Sequence, residues 1–472
     1  MRRLIARASA VVAAGAVAGA LGVSAAGAAA QAPHPARTSS LAAARQMAVP
    51  GAKLWVQRYN GPGNGSDAAS SVAVSPGGGT VFVTGASTGA TSFSDYLTVA
   101  YNAATGARLW TARYNGPGNG GDGAASVAVS PDGATVFVTG ASGGASNSDY
   151  ATVAYRAADG TQLWAARFNG PANDFDGAAA VSVARDGTKV FVTGTSFWNG
   201  DAASGMATVA YRASDGAQLW VARLNGPAGN TGARAIVSPG GNRVFVTGEV
   251  QSKQITAEYG TVAYNATTGA RLWARRYAGQ GATSIAVSPD LAKVYVTGES
   301  HGDYGTLAYS ARTGARLWAR FYGGRRSFEF ANSVAVSPGG TVLVTGGSRG
   351  PAGLNTDYAT VAYSPGGHQL WVRRYSGPGN HSDIAYAVAV PSSGRVYVTG
   401  TSWGGSVTGD DYATIAYNVR TGATVWVRRY NGPASGGDSA TALAARGGRV
   451  FVTGGSTGTT SGDDYATIAY NG

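Results

Sequence analysis

From residue 54 onward the apolar positions fall in short alternating runs with polar punctuation between them. Ser71-Val72-Ala73-Val74-Ser75 is one such run, and Thr80-Val81-Phe82-Val83-Thr84 is the next, with Pro76 to Gly79 between them. After a loop of Gly, Ser and Thr come Tyr96-Leu97-Thr98-Val99-Ala100-Tyr101, the bend Asn102-Ala103-Ala104-Thr105-Gly106, and Leu109-Trp110-Thr111-Ala112-Arg113-Tyr114. Val, Tyr, Phe and Thr in runs of this length, bounded by Gly, Pro and Asn, predict strands. No segment after residue 50 holds a 3.6-residue apolar period, so long helices are not expected there.

The four runs recur eight times. A Trp stands in the same context at Trp55, Trp110, Trp164, Trp220, Trp273, Trp318, Trp371 and Trp426, with spacings of 45 to 56 residues. A Val-Thr-Gly recurs in step with it from Val83 to Val452, and an Ala-Tyr from Ala100-Tyr101 to Ala469-Tyr470. Four strands per repeat of about fifty residues is the signature of a propeller blade. One such sheet cannot cover both of its faces, whereas a ring of sheets can. After the third-strand run that ends at Tyr470, the missing Leu-Trp strand is supplied by Gly51-Ala52-Lys53-Leu54-Trp55. The expectation is an all-β, eight-bladed β-propeller of four-stranded antiparallel blades over residues 54–472, with the N-terminal strand closing the last blade and removing an open edge.

Residues 1–30 read as a signal peptide. Arg2, Arg3 and Arg7 precede an uncharged run of Ala, Val, Gly and Leu, and Ala28-Ala29-Ala30 offers a small-residue cleavage site. Residues 31–53 read as a linker. A secreted or cell-wall-associated monomer is expected, with no integral membrane segment after cleavage. The chain has no Cys, so packing alone must hold it together. The formal charge is +12, and removal of Arg2, Arg3 and Arg7 with residues 1–30 leaves +9. Apart from Arg325-Arg326, the Arg residues are spread at repeat spacing and make no stripe with interleaved aromatics, so nucleic acid is not an expected partner.

Recurrent polar residues follow the repeat. Arg stands three positions after the Trp in seven blades, and an acid opens the third strand in seven. Counting back from the hairpin turn sets Asp95 near Arg113, a spacing that fits a cross-strand ion pair. Blade three keeps Arg223 but has Gly205 for the acid. Blade five keeps Asp303 but has Phe321 for the Arg. A second series, Asp67, Asp122, Asp176, Asp383 and Asp438, follows the linkers between blades, which places it on the top face near the channel mouth. A carboxylate ring for Ca²⁺ is one reading. Asp accepting N–H bonds within its own turn is the other, favoured by the repetition. The four His residues hold unmatched positions, so no His metal site is expected. Trp198 and Trp403 break the repeat, in the second-to-third-strand loops of blades three and seven, opposite one another in a ring of eight. Each is either an exposed stacking platform or a cover for the blade edge.

Tyr101 to Trp110, repeated closely in Tyr264 to Trp273 and Tyr309 to Trp318, resembles the tryptophan-docking motif of quinoprotein (PQQ-like) propellers. Ser126 to Gly133, followed by Val136-Phe137-Val138-Thr139-Gly140, resembles bacterial SBBP-type propeller repeats. These families include enzymes and scaffolds, so the resemblance implies the fold and leaves function open. No catalytic constellation and no metal site emerges from the residues. The expectation is a non-catalytic module that binds a protein or cell-surface glycan through its top-face loops, with Trp198, Trp403, Asp67, Asp122 and Arg223 as ligand-binding candidates and no cofactor. Two alternatives stay open. One is a quinoprotein-like dehydrogenase, which would bring PQQ and calcium. The other is a carbohydrate hydrolase or lyase using top-face acids.

Overall fold

The computed structural model describes residues 49–144, 147–198, 204–226, 231–237, 240, 242–253, 256–323, 329–349, 355–379 and 381–472. The expected signal peptide, most of the expected linker and Arg325-Arg326 lie outside the described residues.

The strands form eight four-stranded antiparallel sheets, seven of them in sequence order. Blade one runs through Asp67–Val74, Thr80–Thr88, Ser94–Asn102 and Arg108–Tyr114. The first strand of each blade lies beside the first strands of its neighbours, and that of blade eight returns to blade one, so the ring is closed. Blade eight takes its outer strand, Lys53–Tyr59, from the N-terminal side of the propeller. That strand pairs with Asp463–Asn471, setting Trp55 opposite Ala469 and Arg58 opposite Ala466. The pairing reaches past the strand, since Gly51 N–H donates to the Asn471 carbonyl at 2.7 Å and Asn471 N–H to that of Ala52 at 2.8 Å.

Each recurrent motif has a packing cause. The Thr of Val-Thr-Gly is buried between the second and third strands. Thr84 Oγ1 donates to the Leu97 carbonyl at 2.9 Å and lies 3.1 Å from Thr98 Oγ1, and the same Thr pair recurs in every blade through Thr453 and Thr467. The Gly that follows is required by a β-bulge. The first strand shifts register between Ala69 and Ser71, and a Cβ on Gly85 would run into the Ala68 carbonyl oxygen.

The Trp joins blades. Trp55 Nε1 donates to the Ala103 carbonyl of blade one at 3.2 Å, and its ring lies on Gly106, whose φ is +74°. Six further Trp make the same bond to the next blade, from Trp110 to Ala157 through Trp371 to Val419. Trp426, in blade seven, rests on Gly51 at the start of the closing segment. Tyr hydroxyls add a second set of inter-blade bonds, such as Tyr96 to the Ala151 carbonyl at 3.3 Å and Tyr465 to that of Leu97 at 3.3 Å.

Candidate functional site

Antiparallel pairing sends the connections of each blade to two ends. The linkers between blades and the second-to-third-strand loops share one end, where Gly63 N–H donates to the Thr88 carbonyl at 3.3 Å and Asn64 Nδ2 reaches the Thr460 carbonyl at 3.1 Å. The tight turns share the other, where Ala103 N–H donates to the Gly79 carbonyl at 2.9 Å.

At the loop end the Asp series faces inward. Asp67 and Asp122 are fully buried. Asp67 Oδ2 accepts from Gly61 N–H at 2.5 Å and Oδ1 from Thr88 N–H at 3.0 Å, while Asp122 Oδ2 accepts from Gly116 N–H at 2.7 Å. Asp176, Asp383 and Asp438 repeat the bond to Gly170, Gly377 and Gly432. Loss of solvent pushes the carboxyls of Asp176, Asp383 and Asp438 above the usual range despite these bonds. The two Asp offered as ligand contacts are therefore placed as turn braces, with no surface turned to the channel mouth. Glu329 takes the same position in blade six and is also buried. It was not recognised from the sequence because no Asn-Gly-Pro precedes it.

The Arg series pairs with the third-strand acids in six blades. Arg113 Nε and Nη2 bond Asp95 Oδ2 at 3.1 and 2.9 Å, and its Nη atoms also reach Ser87 Oγ and the Ser87 carbonyl, each at 2.8 Å. The remaining five pairs are Arg58–Asp464, Arg167–Asp149, Arg276–Glu258, Arg374–Asp357 and Arg429–Asp411. Several of these Arg also bridge to the preceding blade, as Arg429 does to the Tyr375 hydroxyl at 3.2 Å. The two exceptions are repacked. Phe321 stacks on Tyr277 with ring centroids 6.2 Å apart. The Asp303 carboxyl it leaves without an Arg is pushed up by burial, opposed by His301. In blade three a Cβ on Gly205 would meet Asn225 Oδ1. Among the described residues Arg223 has no acid partner; it is exposed, with its guanidinium 5.4 Å from the centre of the Phe168 ring.

The two irregular Trp differ. Trp403 ends the strand Arg395–Trp403 and is half-buried, its ring 5.5 Å from that of His381 and its N–H donating to Asp383 Oδ1 at 3.1 Å. It closes the linker before blade seven. Trp198 follows the strand Lys189–Phe197 and is 39% exposed. Phe175, 49% exposed, precedes Asp176 at the head of the first strand of blade three, with its ring edge over Gly177. Phe197 N–H donates to Asp176 Oδ1 at 3.1 Å, which holds the two segments together. Phe175 was missed from the sequence, although other repeats hold Ser66, Gly121 or Gly437 at its position. Blade three thus carries two exposed aromatics and a cation without an acid partner at the loop end.

Calcium takes six to eight oxygen ligands. Among the described residues no three His, Cys, Asp or Glu stand close enough to share a metal ion, and the recurrent acids are committed to backbone amides or to Arg. These residues do not fit a calcium-bound quinone, and no redox step is derived from them.

The ring resembles many solved propellers. The Dos1 propeller superposes with a TM-score of 0.55 at 10% identity, over 88% of this chain and 94% of that one. The quinohemoprotein alcohol dehydrogenase from Comamonas testosteroni superposes with 0.55 at 14% identity, over 89% of this chain and 76% of that one. The Chaetomium thermophilum Sqt1 propeller, solved bound to the N-terminus of a ribosomal protein, gives 0.57 at 12% identity, over 88% of this chain and 98% of that one. At such identities the likeness shows the fold alone. No curated protein matches the chain. One family model, described as outer membrane protein assembly factor BamB, matches residues 150–320 and 303–464. That span takes in most of the ring and carries the Trp-docking repeat in blade after blade, so the chain belongs to this family of PQQ-like β-propeller repeat proteins.

Proposed function

We propose that the protein is an exported binding propeller that holds a protein or a cell-surface glycan on its loop end. The observation that carries this reading is the grouping in blade three of two exposed aromatic rings with a cation; Phe93 of blade one, 74% exposed, is a further exposed ring at the loop end. Elsewhere the recurrent Asp, Arg, Thr and Trp are consumed by turns, ion pairs and blade junctions. In blade three, Phe175 and Trp198 keep exposed rings, and Arg223 keeps a cation without a carboxylate. Aromatic faces of this kind stack on sugar rings or anchor a peptide side chain, and Trp and Arg are enriched where binding energy concentrates. The solved Sqt1 complex supports a propeller in a peptide-binding role. The dehydrogenase neighbours support the redox alternative by fold alone.

The test is binding of the full chain to polysaccharide and surface-protein fractions from its own cells. The double variant Phe175→Ala, Trp198→Ala should weaken binding about 30-fold, the scale of a binding hot spot. Arg223→Ala should weaken it further. Retention unchanged in the triple variant would refute the site. Dye-linked alcohol or sugar oxidation on addition of PQQ and Ca²⁺ would favour the enzyme alternative instead.

A further inference from the structure

The two ends of the ring differ sharply in charge and in what they expose. The turn end comprises the first-to-second and third-to-fourth turns with the strand residues that flank them. It carries fifteen Lys and Arg against five Asp. At the loop end the described connections, counted in the same way, carry ten Asp and Glu against two Lys and Arg. The repeat does not require this asymmetry. Arg312 and Arg420 stand where blade six has a Gly-Gly turn, and Arg108 and Arg271 where it has Gln369; all four are exposed, and blade six folds without them.

The turn end also exposes a ring of aliphatic side chains. In every blade the fourth strand has a bulge one residue before the Trp, between Ala100 and Tyr101 on the partner strand in blade one. The unpaired residue is Leu54, Leu109, Leu163, Leu219, Leu272, Leu317, Leu370 or Val425. Their exposure runs from 38% at Leu219 to 50% at Leu109. Leu370 shares a hollow on this end with Pro338, Pro391 and Val419. A single exposed Leu needs no explanation, but eight at one register, one per blade beside a basic rim, make a repeated feature of this end.

The chain also meets the ring on this side. Val49 and Pro50 lead into Gly51, which bonds Asn471 in the place of a third-to-fourth turn.

We propose that the turn end is a docking face for an anionic lipid surface, on which the propeller sits with its loop end turned away. The basic residues supply attraction to anionic headgroups, and the bulge Leu ring meets the headgroup–acyl boundary. A hydrated polyanion would engage the Arg but leave the Leu ring in water. The lipid surface satisfies both features.

The test uses the full chain and sedimentation with phosphatidylcholine vesicles, with and without phosphatidylglycerol. Each basic residue at an anionic surface changes the partition by about fivefold. The variant carrying Arg108→Gln, Arg271→Gln, Arg312→Gln and Arg420→Gln should therefore bind anionic vesicles at least about tenfold more weakly. The variant carrying Leu109→Ser, Leu272→Ser, Leu317→Ser and Leu370→Ser should lose a similar factor while keeping the salt dependence. Any attachment by residues 1–48 is common to all these chains, so the differences report the propeller. The proposal is overturned if neutral and anionic vesicles bind equally, if either variant binds like the native chain, or if the chain binds duplex DNA and not anionic vesicles. The loop-end variants Phe175→Ala and Trp198→Ala should leave vesicle binding unchanged, which separates this proposal from the loop-end site.

Discussion

The closing junction between blades seven and eight should be as strong as a junction inside the chain, and two glycine substitutions test this. Gly51 and Gly106 occupy equivalent places under Trp426 and Trp55. Their φ angles are +77° and +74°, and an added Cβ would lie 2.6 Å from Trp426 Cγ in one case and 2.7 Å from Trp55 Cδ2 in the other. An L-residue in this conformation costs about 1–2 kcal/mol. Displacing the overlying ring adds about 1–3 kcal/mol, the usual cost of overpacking. Gly51→Ala and Gly106→Ala should therefore each lose about 2–5 kcal/mol, measured by equilibrium urea unfolding. Gly77→Ala, with open space around its Cβ, serves as the control. The two losses should agree to within about 0.5 kcal/mol if closure couples blade eight to blade seven as tightly as covalent neighbours are coupled. If Gly51→Ala unfolds like the native chain while Gly106→Ala does not, Trp426 is only loosely seated on the closing segment although Trp55 holds the same strand to blade one, and the closed ring does not act as one cooperative unit.

Three further outcomes follow from the polar contacts. Arg113→Ala leaves the buried Asp95 without its cation and should cost about 2–4 kcal/mol, whereas Arg156→Ala, which breaks the exposed pair with Asp159, should cost less than about 0.5 kcal/mol; urea unfolding compares them. Burial raises the Asp383 carboxyl in the folded state above its ordinary 3.8, so the native protein keeps that proton to higher pH than the unfolded chain does. Its contribution to stability is therefore lost as pH rises from about 3.8 through the raised value, with a slope of at most about 1.4 kcal/mol per pH unit. The stability of the native chain relative to Asp383→Asn should fall across that window, and a flat or rising difference in pH-dependent urea unfolding would contradict the assignment. Trp403→Ala, which removes the ring against His381 and uncovers the linker, should lower stability by about 1–2 kcal/mol, while the exposed Trp198 should be replaceable by Ala at little cost to the fold.

The ring was legible in the sequence because each repeat writes the same instructions. The Trp, the Val-Thr-Gly and the Asp/Arg spacing recur, and a feature repeated eight times is easier to read than any one strand. Counting from the hairpin turn predicted Asp95 beside Arg113, and the two are bonded, since strand register carries both to the same place. The Asp67 series was harder. Its loop position could be counted, but side-chain direction within that loop could not, and backbone amides draw the carboxylates inward, two for Asp67 and one for Asp122. Phe175 belongs to no recurrent motif, yet an aromatic where other repeats hold Ser66, Gly121 or Gly437 is itself a signal. Junction chemistry was also hidden. Blade three has Met206 where the other blades have the bridging Tyr, so the hydroxyl bond to the next blade is replaced there by apolar packing near Gly260.

Compensated and uncompensated departures from the repeat separate structure from function more sharply than the repeat itself does. Phe321 is matched by Tyr277 and Gly205 by Asn225, so each of these losses is absorbed by a neighbour. Arg223 has no acid partner among the described residues and rests against the Phe168 ring, while Trp198 and Phe175 stay exposed. The same reasoning applies to whole ends of the molecule. A bulge needs an unpaired residue in each blade, but it does not need that residue to be Leu or Val all eight times, and a turn does not need Arg. Electrostatic self-repulsion at the turn end opposes folding, so charge concentrated there is a penalty that a counter-surface would relieve. On the two proposals together the propeller has two working ends, a basic aliphatic one suited to an anionic sheet and a loop end that binds through blade three, and the ring between them fixes how far apart they are held.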